Sequence, residues 1–482
     1  MMSLIISLYR DSMVLLCPTK KRFSLRLCVT AEMEHKFHFI LLFIIVVTLP
    51  SLLSEKCFSR TQNTHLYLAT KTPYRYLTNK NDSVIHYPGC NPIRIWMIVR
   101  HGTRYPSGKV IQKMRERLPQ LRETVIQNHK SKRGKLCKEE LAALQAWSPH
   151  VEEADEKRLA HEGEDEMVEL AERFQNRFPQ ILSEIYTNLT YKFRYTATQR
   201  TTESARHFTI GLFGRRVSRH VWFPEAIYRD PILRFYKLCH RWRMEVDKNP
   251  LSMREKLKFE DGPEMVSALK DISSRLGFNE TINIRDAFLI YITCSFETAW
   301  DHRARSPWCA AFSETNMKVF EYAEDLEYYW IDGYGYNITY RQACPPIKDM
   351  LQHFQVEEMP DREHKARAVV YFTHSGTLLK IMAHLGLYKD EEVLLHNNFN
   401  TLNDKRKWRV SQVDSFGTNL AFVLFRCNEQ LKVLTLHQEK PVTLPGCPES
   451  DLCPLNVLRE QYKESVTDCN FDHICSNPVE GA

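Results

Sequence analysis

The segment VRHGTRY, residues 99–105, places a histidine between two arginines at the end of an apolar run. Arg100 and Arg104 make protonation of His101 costly, so the imidazole is expected to stay neutral and to keep its lone pair. Arginine also suits phosphate oxygens, because its planar fork binds them bidentately. A neutral histidine among guanidinium groups is well placed to attack a phosphoryl group in line. The segment therefore predicts a phosphate site with a nucleophilic histidine.

Two further segments carry residues that could complete this site. FTHSGTLL, residues 372–379, places His374 between a strand pattern and a helix pattern, and YTATQRTTESARHF places Arg200 in the same way. Ligands of an open α/β sheet bind at the carboxyl ends of its strands, where a helix N-terminus presents free N–H groups to an anion. Alone, either residue is more often an ordinary strand-end histidine or a surface arginine. Together with RHGTRYP, they indicate one anion site.

The elements that must position these residues alternate between strand and helix, which indicates a three-layer α/β core. Apolar runs predict strands near 93–99, 191–198 and 366–372, each followed by helical spacing of apolar residues. SFGTNLAFVLF and EQLKVLTLHQEKPVTL predict two late strands. The stretch between the second and third strands is mostly helix patterns and polar connections. We therefore expect an α/β core with an inserted, mainly helical cap domain.

These patterns divide the chain into five predicted segments. They are a signal peptide with an N-terminal extension (1–54), the first part of the core (55–229), the cap (230–365), the second part of the core (366–445) and a cysteine-rich tail (446–482). The apolar run from Phe39 to Val47 has the length of a signal peptide and is shorter than the roughly 20 residues of a spanning helix. A cleavable signal is therefore favoured over a retained anchor, with no stable membrane span after cleavage.

Cysteines and sequons also favour the secretory pathway. Cys17 and Cys28 precede the signal, and the other 12 of the 14 cysteines begin at Cys57. This even number suits disulfides in an oxidising compartment. Local bridges are expected in the tail, with a zinc site near His473 as the less favoured reading. We expect a secreted, luminal (endoplasmic reticulum or lysosome) or cell-surface protein. The candidate glycosylation sites are Asn81, Asn188, Asn279 and Asn337.

The motif RHGTRYP resembles the signature of the histidine phosphatase superfamily, in its acid phosphatase and phytase branch. Several further segments are similar to the multiple inositol polyphosphate phosphatases, and they extend over nearly the whole chain after the signal. They are TKTPYRY, LAERFQNRFP, TATQRTTESARHF, DLEYYWIDGYGYNITYRQAC and YFTHSGTLLKIMAHLGLYKDEEVL.

The resemblance implies a phosphoglycerate-mutase-like core and hydrolysis of inositol hexakisphosphate and lower inositol phosphates, with 2,3-bisphosphoglycerate as a further candidate substrate. It implies that His101 becomes a phosphohistidine and that Ser107 touches substrate. No metal or organic cofactor is implied. The formal net charge of +7 is modest, and neither a nucleic-acid motif nor a GxxxxGK is present. The oligomeric state is left open. The implied phosphate pocket consists of Arg100, Arg104, Arg200 and His374.

The chain departs from this family at the proton donor. The family carries Asp or Glu just after its second histidine, whereas Ser375 and Gly376 stand here, and neither is a carboxylic acid. The next carboxylates begin at Asp390, beyond a helix that rises about 16 Å. Losing general acid catalysis typically costs about 10²–10⁴-fold in rate. A substrate phosphate or a carboxylate from the cap could supply the proton instead.

Three functions are therefore compatible with the sequence. The favoured one is an active inositol polyphosphate phosphatase with a non-standard proton source. The second is a catalytically weakened relative that binds polyphosphorylated ligands. The third is a phosphatase of activated esters such as aryl phosphates, whose leaving groups need little protonation.

Overall fold

The strand predicted near 93–99 extends from Cys90 to Arg100 and forms the centre of the sheet. Its residues 95–99 are fully buried, as expected of a strand covered on both faces. This arrangement belongs to a computed structural model that describes residues 57, 63–303, 305–355 and 366–476. The predicted signal peptide lies outside these residues. The described residues belong to one compact unit, Cys57–Ala482.

The sheet has seven strands and mixed direction. Three parallel strands lie side by side in the order Tyr191–Tyr195, Ala368–Thr373 and Cys90–Arg100. On the other side of Cys90–Arg100, Asn419–Cys427 pairs with it antiparallel, and Gln430–His437 pairs antiparallel with Asn419–Cys427. The strands are β1 (Cys90–Arg100), β2 (Tyr191–Tyr195), β3 (Ala368–Thr373), β4 (Asn419–Cys427), β5 (Gln430–His437), β6 (Lys440–Pro441) and β7 (Leu452–Pro454).

Helices cover both faces of the sheet. Those of the described residues are α1 (Gly108–Lys130), α2 (Lys138–Ala146), α3 (His161–Arg177), α4 (Gln199–Ser218), α5 (His240–Trp242), α6 (Arg254–Glu260), α7 (Pro263–Leu276), α8 (Ile284–Trp300), α9 (Glu314–Asp332), α10 (Asn337–Arg341), α11 (Cys344–Gln355), α12 (Ser375–His384), α13 (Phe399–Leu402), α14 (Val410–Val413), α15 (Leu455–Gln461), α16 (Lys463–Thr467) and α17 (Phe471–Cys475).

Alternation along β1 explains the layers. Trp96 and Ile98 point into a core formed with α1, α11 and α12. Met97 and Val99 point into a second core formed with α3 and α4. Successive side chains of a strand face opposite sides, so one buried strand serves both cores. The α/β core predicted from the sequence is confirmed as a sheet between two helical layers.

The predicted cap region is helical where the structure describes it. Helices α5 to α11 follow one another between β2 and β3, and the described part of 230–365 contains no strand. Its helices contribute to the same core cluster as α1 and α12. The segment boundaries themselves stay predictions. Among the described residues, none of the helices is both long and apolar enough to cross a membrane.

All twelve cysteines from Cys57 onward form disulfides, so the tail offers no thiolate to a zinc ion. Only one of the tail bridges is local, and the expectation of local bridging is wrong for the other two tail cysteines, which reach back to the helical region. The pairs are Cys57–Cys137, Cys90–Cys427, Cys239–Cys475, Cys294–Cys309, Cys344–Cys469 and Cys447–Cys453.

The four sequon asparagines are exposed, and their glycosylation stays a prediction. Asn279 accepts a hydrogen bond from Arg133 and Asn337 accepts one from Tyr340. A glycan at either position would therefore stand beside a formed local contact.

Replacing Cys344 and Cys469 together by alanine should lower the free energy of unfolding more than replacing Cys447 and Cys453 together. The first bridge spans 125 residues and the second spans 6. In the chain-entropy description, these bridges stabilise by about 5 and about 2 kcal/mol. Urea denaturation midpoints of the two double variants, measured without reductant, test the order. Equal midpoints would contradict it.

Candidate functional site

Strand register brings the two predicted histidines together. Arg100 lies opposite Thr373 in the parallel pairing of β1 with β3, so the residues that follow both strands leave the sheet side by side. The backbone N–H of His101 donates to the carbonyl of Thr373 at 3.1 Å. The ring centroids of His101 and His374 are 5.6 Å apart. Both histidines are buried.

The loop after β1 is held by two glycines in close contact. A Cβ atom on Gly102 would lie 2.4 Å from the carbonyl oxygen of Gly163 in α3, and one on Gly163 would lie 2.2 Å from that of Thr103. Only glycine fits positions where two backbones approach so closely. The glycine of the RHGTRYP motif therefore has a packing role.

A buried carboxylate fixes the same loop. Glu166 of α3 accepts hydrogen bonds from the Thr103 N–H at 2.7 Å and from its hydroxyl at 2.9 Å, and from the Tyr74 N–H at 3.1 Å. Burial raises the pKa of Glu166 to about 7, although these hydrogen bonds act in the opposite direction. Glu166 is thus a positioning residue for the loop that carries His101.

The surroundings of His101 favour a neutral ring with one free nitrogen. Its Nδ1 lies 2.9 Å from the carbonyl oxygen of Gly102. Since a carbonyl only accepts, Nδ1 donates and the lone pair is on Nε2. The pKa of His101 lies well below its usual 6.5, first because of burial and then because of Arg200, Arg100 and Arg104. The imidazole is therefore available as a nucleophile.

His374 is fixed by residues from β2 and α4. Its Nε2 lies 2.8 Å from the Thr196 hydroxyl, and its Nδ1 accepts from the Arg200 guanidinium at 3.3 Å. Burial, followed by Arg200 and Arg234, lowers its pKa well below 6.5. Thus β1, β2 and β3 each contribute to one cluster at their carboxyl ends.

The arginines of this cluster lack sufficient counter-charge. In the part of the chain that the structure describes, the buried Nε groups of Arg100, Arg200 and Arg234 have no hydrogen-bond partner. Burial, followed by neighbouring charges that include other guanidinium groups, lowers the pKa of Arg104 to about 9 and that of Arg200 to about 10. Unpartnered buried donors are costly. An oxyanion such as phosphate would satisfy them and relieve their repulsion.

Asp414 counters part of this charge beneath the cluster. Its carboxylate lies 3.3 Å from the Arg100 guanidinium, which also stacks 4.8 Å from the Phe416 ring centroid. The Ser375 hydroxyl donates a hydrogen bond to the Asp414 carboxylate. Burial raises the pKa of Asp414 to about 6 even though Arg100 opposes the shift. Asp414 is fully buried, so it supports Arg100 from inside.

Sequence reasoning missed Arg234, which lies on the connection between α4 and α5. Asp230 holds this connection by accepting from the N–H groups of Ile232 and Leu233, each at 2.8 Å. No periodicity or motif in ILRFYKLC marked Arg234 as part of the site.

The predicted Ser107 is half-buried directly before α1, and its hydroxyl does not cap the described first turn of that helix. Its substrate contact stays a prediction.

Replacing Arg234 by alanine should weaken the binding of inorganic phosphate about 10–100-fold, because a hydrogen bond to a charged group contributes about 1.5–3 kcal/mol. Isothermal titration calorimetry measures the change. Arg241→Ala is the matched control, since Arg241 pairs only with its neighbour Glu245 among the salt bridges of the described chain. Unchanged phosphate affinity of Arg234→Ala would place this guanidinium outside the anion site.

Comparisons with known proteins identify the family. The model of the histidine phosphatase superfamily (branch 2) matches residues 94–438. Multiple inositol polyphosphate phosphatase 1 of Drosophila melanogaster is 34% identical over 418 residues, which cover 83% of this chain and 86% of that protein. Its Gallus gallus counterpart is 30% identical over 400 residues, covering 81% and 85%.

Solved structures share the fold at low sequence identity. The phytase from D. castellii superposes with a TM-score of 0.68 at 17% identity and covers 87% of this chain and 89% of that one. Bifidobacterium longum multiple inositol polyphosphate phosphatase, in complex with inositol hexasulfate, superposes with a TM-score of 0.61 at 15% identity, covering 82% and 97%. The chain belongs to branch 2 of the histidine phosphatase superfamily and, within it, to the multiple inositol polyphosphate phosphatases.

Proposed function

We propose that this phosphatase removes phosphate groups from inositol polyphosphates, including inositol hexakisphosphate, through a phosphohistidine on His101. The observation that carries the proposal is a cluster of guanidinium groups, three of which have an unpartnered Nε in the described chain, around a buried imidazole whose pKa lies well below 6.5. Relatives named for this activity support the substrate class, as does the inositol hexasulfate complex of the Bifidobacterium longum protein.

The proposed reaction has two steps. Nε2 of His101 attacks phosphorus while the bond to the inositol oxygen breaks, and the leaving oxygen takes up a proton. Arg100, Arg104 and Arg200 hold the phosphoryl oxygens, where positioning and charge stabilisation supply most of the catalysis in phosphoryl transfer. Water then attacks phosphorus, the N–P bond breaks, and inorganic phosphate leaves. His374 contacts the transferred group from the end of β3.

A weakened relative that binds polyphosphates is the second candidate. One observation favours it: Ser375 donates to Asp414, and Gly376 has no side chain to donate a proton. Asp390, the first carboxylate after α12, is engaged elsewhere, because it accepts from the backbone N–H groups of Lys407 and Trp408 at 2.6 and 3.1 Å. Tight binding of inositol hexakisphosphate without turnover would identify this candidate.

The six disulfides fit an extracellular or luminal protein. We place it in the secretory pathway, as a secreted, luminal or cell-surface enzyme. A polyanionic substrate suits the four guanidinium groups of the site.

Phosphate release from inositol hexakisphosphate tests the proposed function. The natural protein should turn over, and His101→Ala should lose activity on the order of 10³-fold or more, because the nucleophile is removed. Rapid quenching under alkaline conditions should trap a phosphorylated enzyme that His101→Ala does not form. His161→Ala is the matched control, since that side chain is 94% exposed. Turnover that survives in His101→Ala would refute covalent catalysis at this residue.

The low pKa of His101 predicts the acid limb of the pH profile. Since folding lowers this pKa below 6.5, the reactive neutral ring persists as the pH falls through 6.5 and is lost only at lower pH. The value of kcat/KM for an aryl phosphate, measured between about pH 4 and about pH 8 and corrected for substrate ionisation, should show this. If the acid limb of the corrected kcat/KM profile had an apparent pKa of 6.5, the result would contradict the surroundings described for His101.

A further inference from the structure

The position of the missing acid is occupied by a carboxylate from another helix. Gly376 is the second residue of α12, and a Cβ atom built on it would lie 3.1 Å from Oδ1 of Asp332. This is about the reach of a glutamate from its own Cβ to its carboxylate oxygens. Asp332 is the last residue of α9, 44 positions earlier in the chain. The volume that a longer side chain at 376 would fill therefore already contains an acid.

Packing fixes Asp332 in this place. Gly333, which follows it, lies against Trp408 so closely that a Cβ atom there would come within 2.6 Å of the indole. Asp332 also forms an ion pair with Lys380, one turn after Gly376 on α12. The Asp332 side chain is 14% exposed and that of Lys380 is fully buried. The carboxylate thus lies at the accessible end of the pair and the ammonium at the inner end.

Lys380 is enclosed by aromatic rings and a backbone carbonyl, which hold its ammonium in place. Its Nζ lies 4.1 Å from the Trp242 ring centroid and 4.7 Å from that of Tyr236, and 3.4 Å from the carbonyl oxygen of Gly376. Burial lowers the pKa of Lys380, although Asp332 acts in the opposite direction. A buried lysine releases its proton more readily than an exposed one.

Electrostatic contacts connect this pair to the phosphate site. Burial is the main cause of the raised pKa of Asp414, which lies against Arg100, and the charge of Asp332 adds to it. Burial, with a smaller contribution from Asp332, also raises the pKa of Tyr236, whose hydroxyl is hydrogen-bonded to Arg234. The contacts agree with this: the Lys380 Nζ lies 4.7 Å from the Tyr236 ring centroid, and Ser375, which precedes Gly376, donates to Asp414. The pair is therefore close to residues that touch two arginines of the cluster.

We propose that Asp332 delivers the proton to the leaving-group oxygen, with Lys380 as the positioning residue that supplies it. The inference rests on the proposed function. In the resting ion pair the proton is on Lys380 and Asp332 is ionised. As the bond between phosphorus and the leaving oxygen breaks, this proton passes from Lys380 to Asp332 and from Asp332 to the leaving oxygen. Neutral Lys380 and ionised Asp332 remain. When water attacks the phosphohistidine, its proton returns to the pair and the N–P bond breaks. Protons and charges then balance over the cycle.

Asp414 is the competing carboxylate, and its position argues against it. It is fully buried and is bound by both Arg100 and Ser375. A proton donor must come within hydrogen-bond reach of the leaving oxygen. Of these two carboxylates, Asp332 is the one that is partly exposed.

The test compares two leaving groups. Asp332→Asn should lower kcat/KM for inositol hexakisphosphate about 10²–10⁴-fold, the usual contribution of general acid catalysis. It should change kcat/KM for an aryl phosphate less than about threefold, because that leaving group needs little protonation. Retained inositol phosphate turnover in Asp332→Asn overturns the inference. The inference is also overturned if Asp414→Asn, and not Asp332→Asn, selectively loses turnover of inositol hexakisphosphate. Glu391→Gln, at an exposed acid after α12, is the matched control and should change neither value.

A second variant covers the case in which Asp332→Asn does not fold. The double variant Asp332→Ala with Gly376→Glu moves the carboxylate onto α12. A Cβ atom at position 376 would lie 3.7 Å from the Lys380 Nζ, so the buried ammonium keeps a partner. Recovery of inositol phosphate turnover supports the inference. If the double variant hydrolyses the aryl phosphate but not inositol hexakisphosphate, the inference is overturned.

The proposed function is tested separately by the natural protein. If it hydrolyses neither substrate, the proposed function fails. If it hydrolyses only the aryl phosphate, the phosphohistidine chemistry stands and proton delivery by Asp332 is refuted.

Discussion

Repulsion among four guanidinium groups is the constraint around which this site is organised. Arg100, Arg104, Arg200 and Arg234 lie around two buried histidines, and three of their Nε groups have no partner in the described chain. Four like charges in a partly buried site are unfavourable unless an anion joins them. Burial, together with the same field, lowers the pKa of His101, so the charge proposed to bind phosphate also favours the neutral ring of the proposed nucleophile.

The surrounding fold compensates for this charge without reaching into the binding space. Asp414 supports Arg100 from the interior, and Glu166 holds the loop at Thr103 rather than any arginine. Each of these carboxylates has a raised pKa because it is buried. These two acids are thus used for positioning: Asp414 pairs with Arg100, and Glu166 holds the loop after β1.

How much of the site the sequence could predict depends on the range of the contacts. Arg100 ends an apolar strand, and His101 and His374 directly follow one. The local apolar pattern therefore predicts their place at the carboxyl ends of strands. Asp332 stands beside Gly376 only because α9 and α12 meet in space, and no spacing rule connects positions 44 residues apart. The bridges of Cys469 and Cys475 reach back in the same way. Arg234 lies on an irregular connection, where periodicity carries no information.

These tail bridges impose an order on biosynthesis. Cys239 and Cys344 are translated well before their partners, which lie 236 and 125 residues further along the chain. Both must stay unpaired, or be released from wrong partners, until the last part of the chain has left the ribosome. Cys294 and Cys309, only 15 residues apart, emerge between them and can close at once. A nascent chain that stops short of Cys469 would therefore carry two unpaired thiols in its helical region, a state that thiol exchange in an oxidising compartment can recognise.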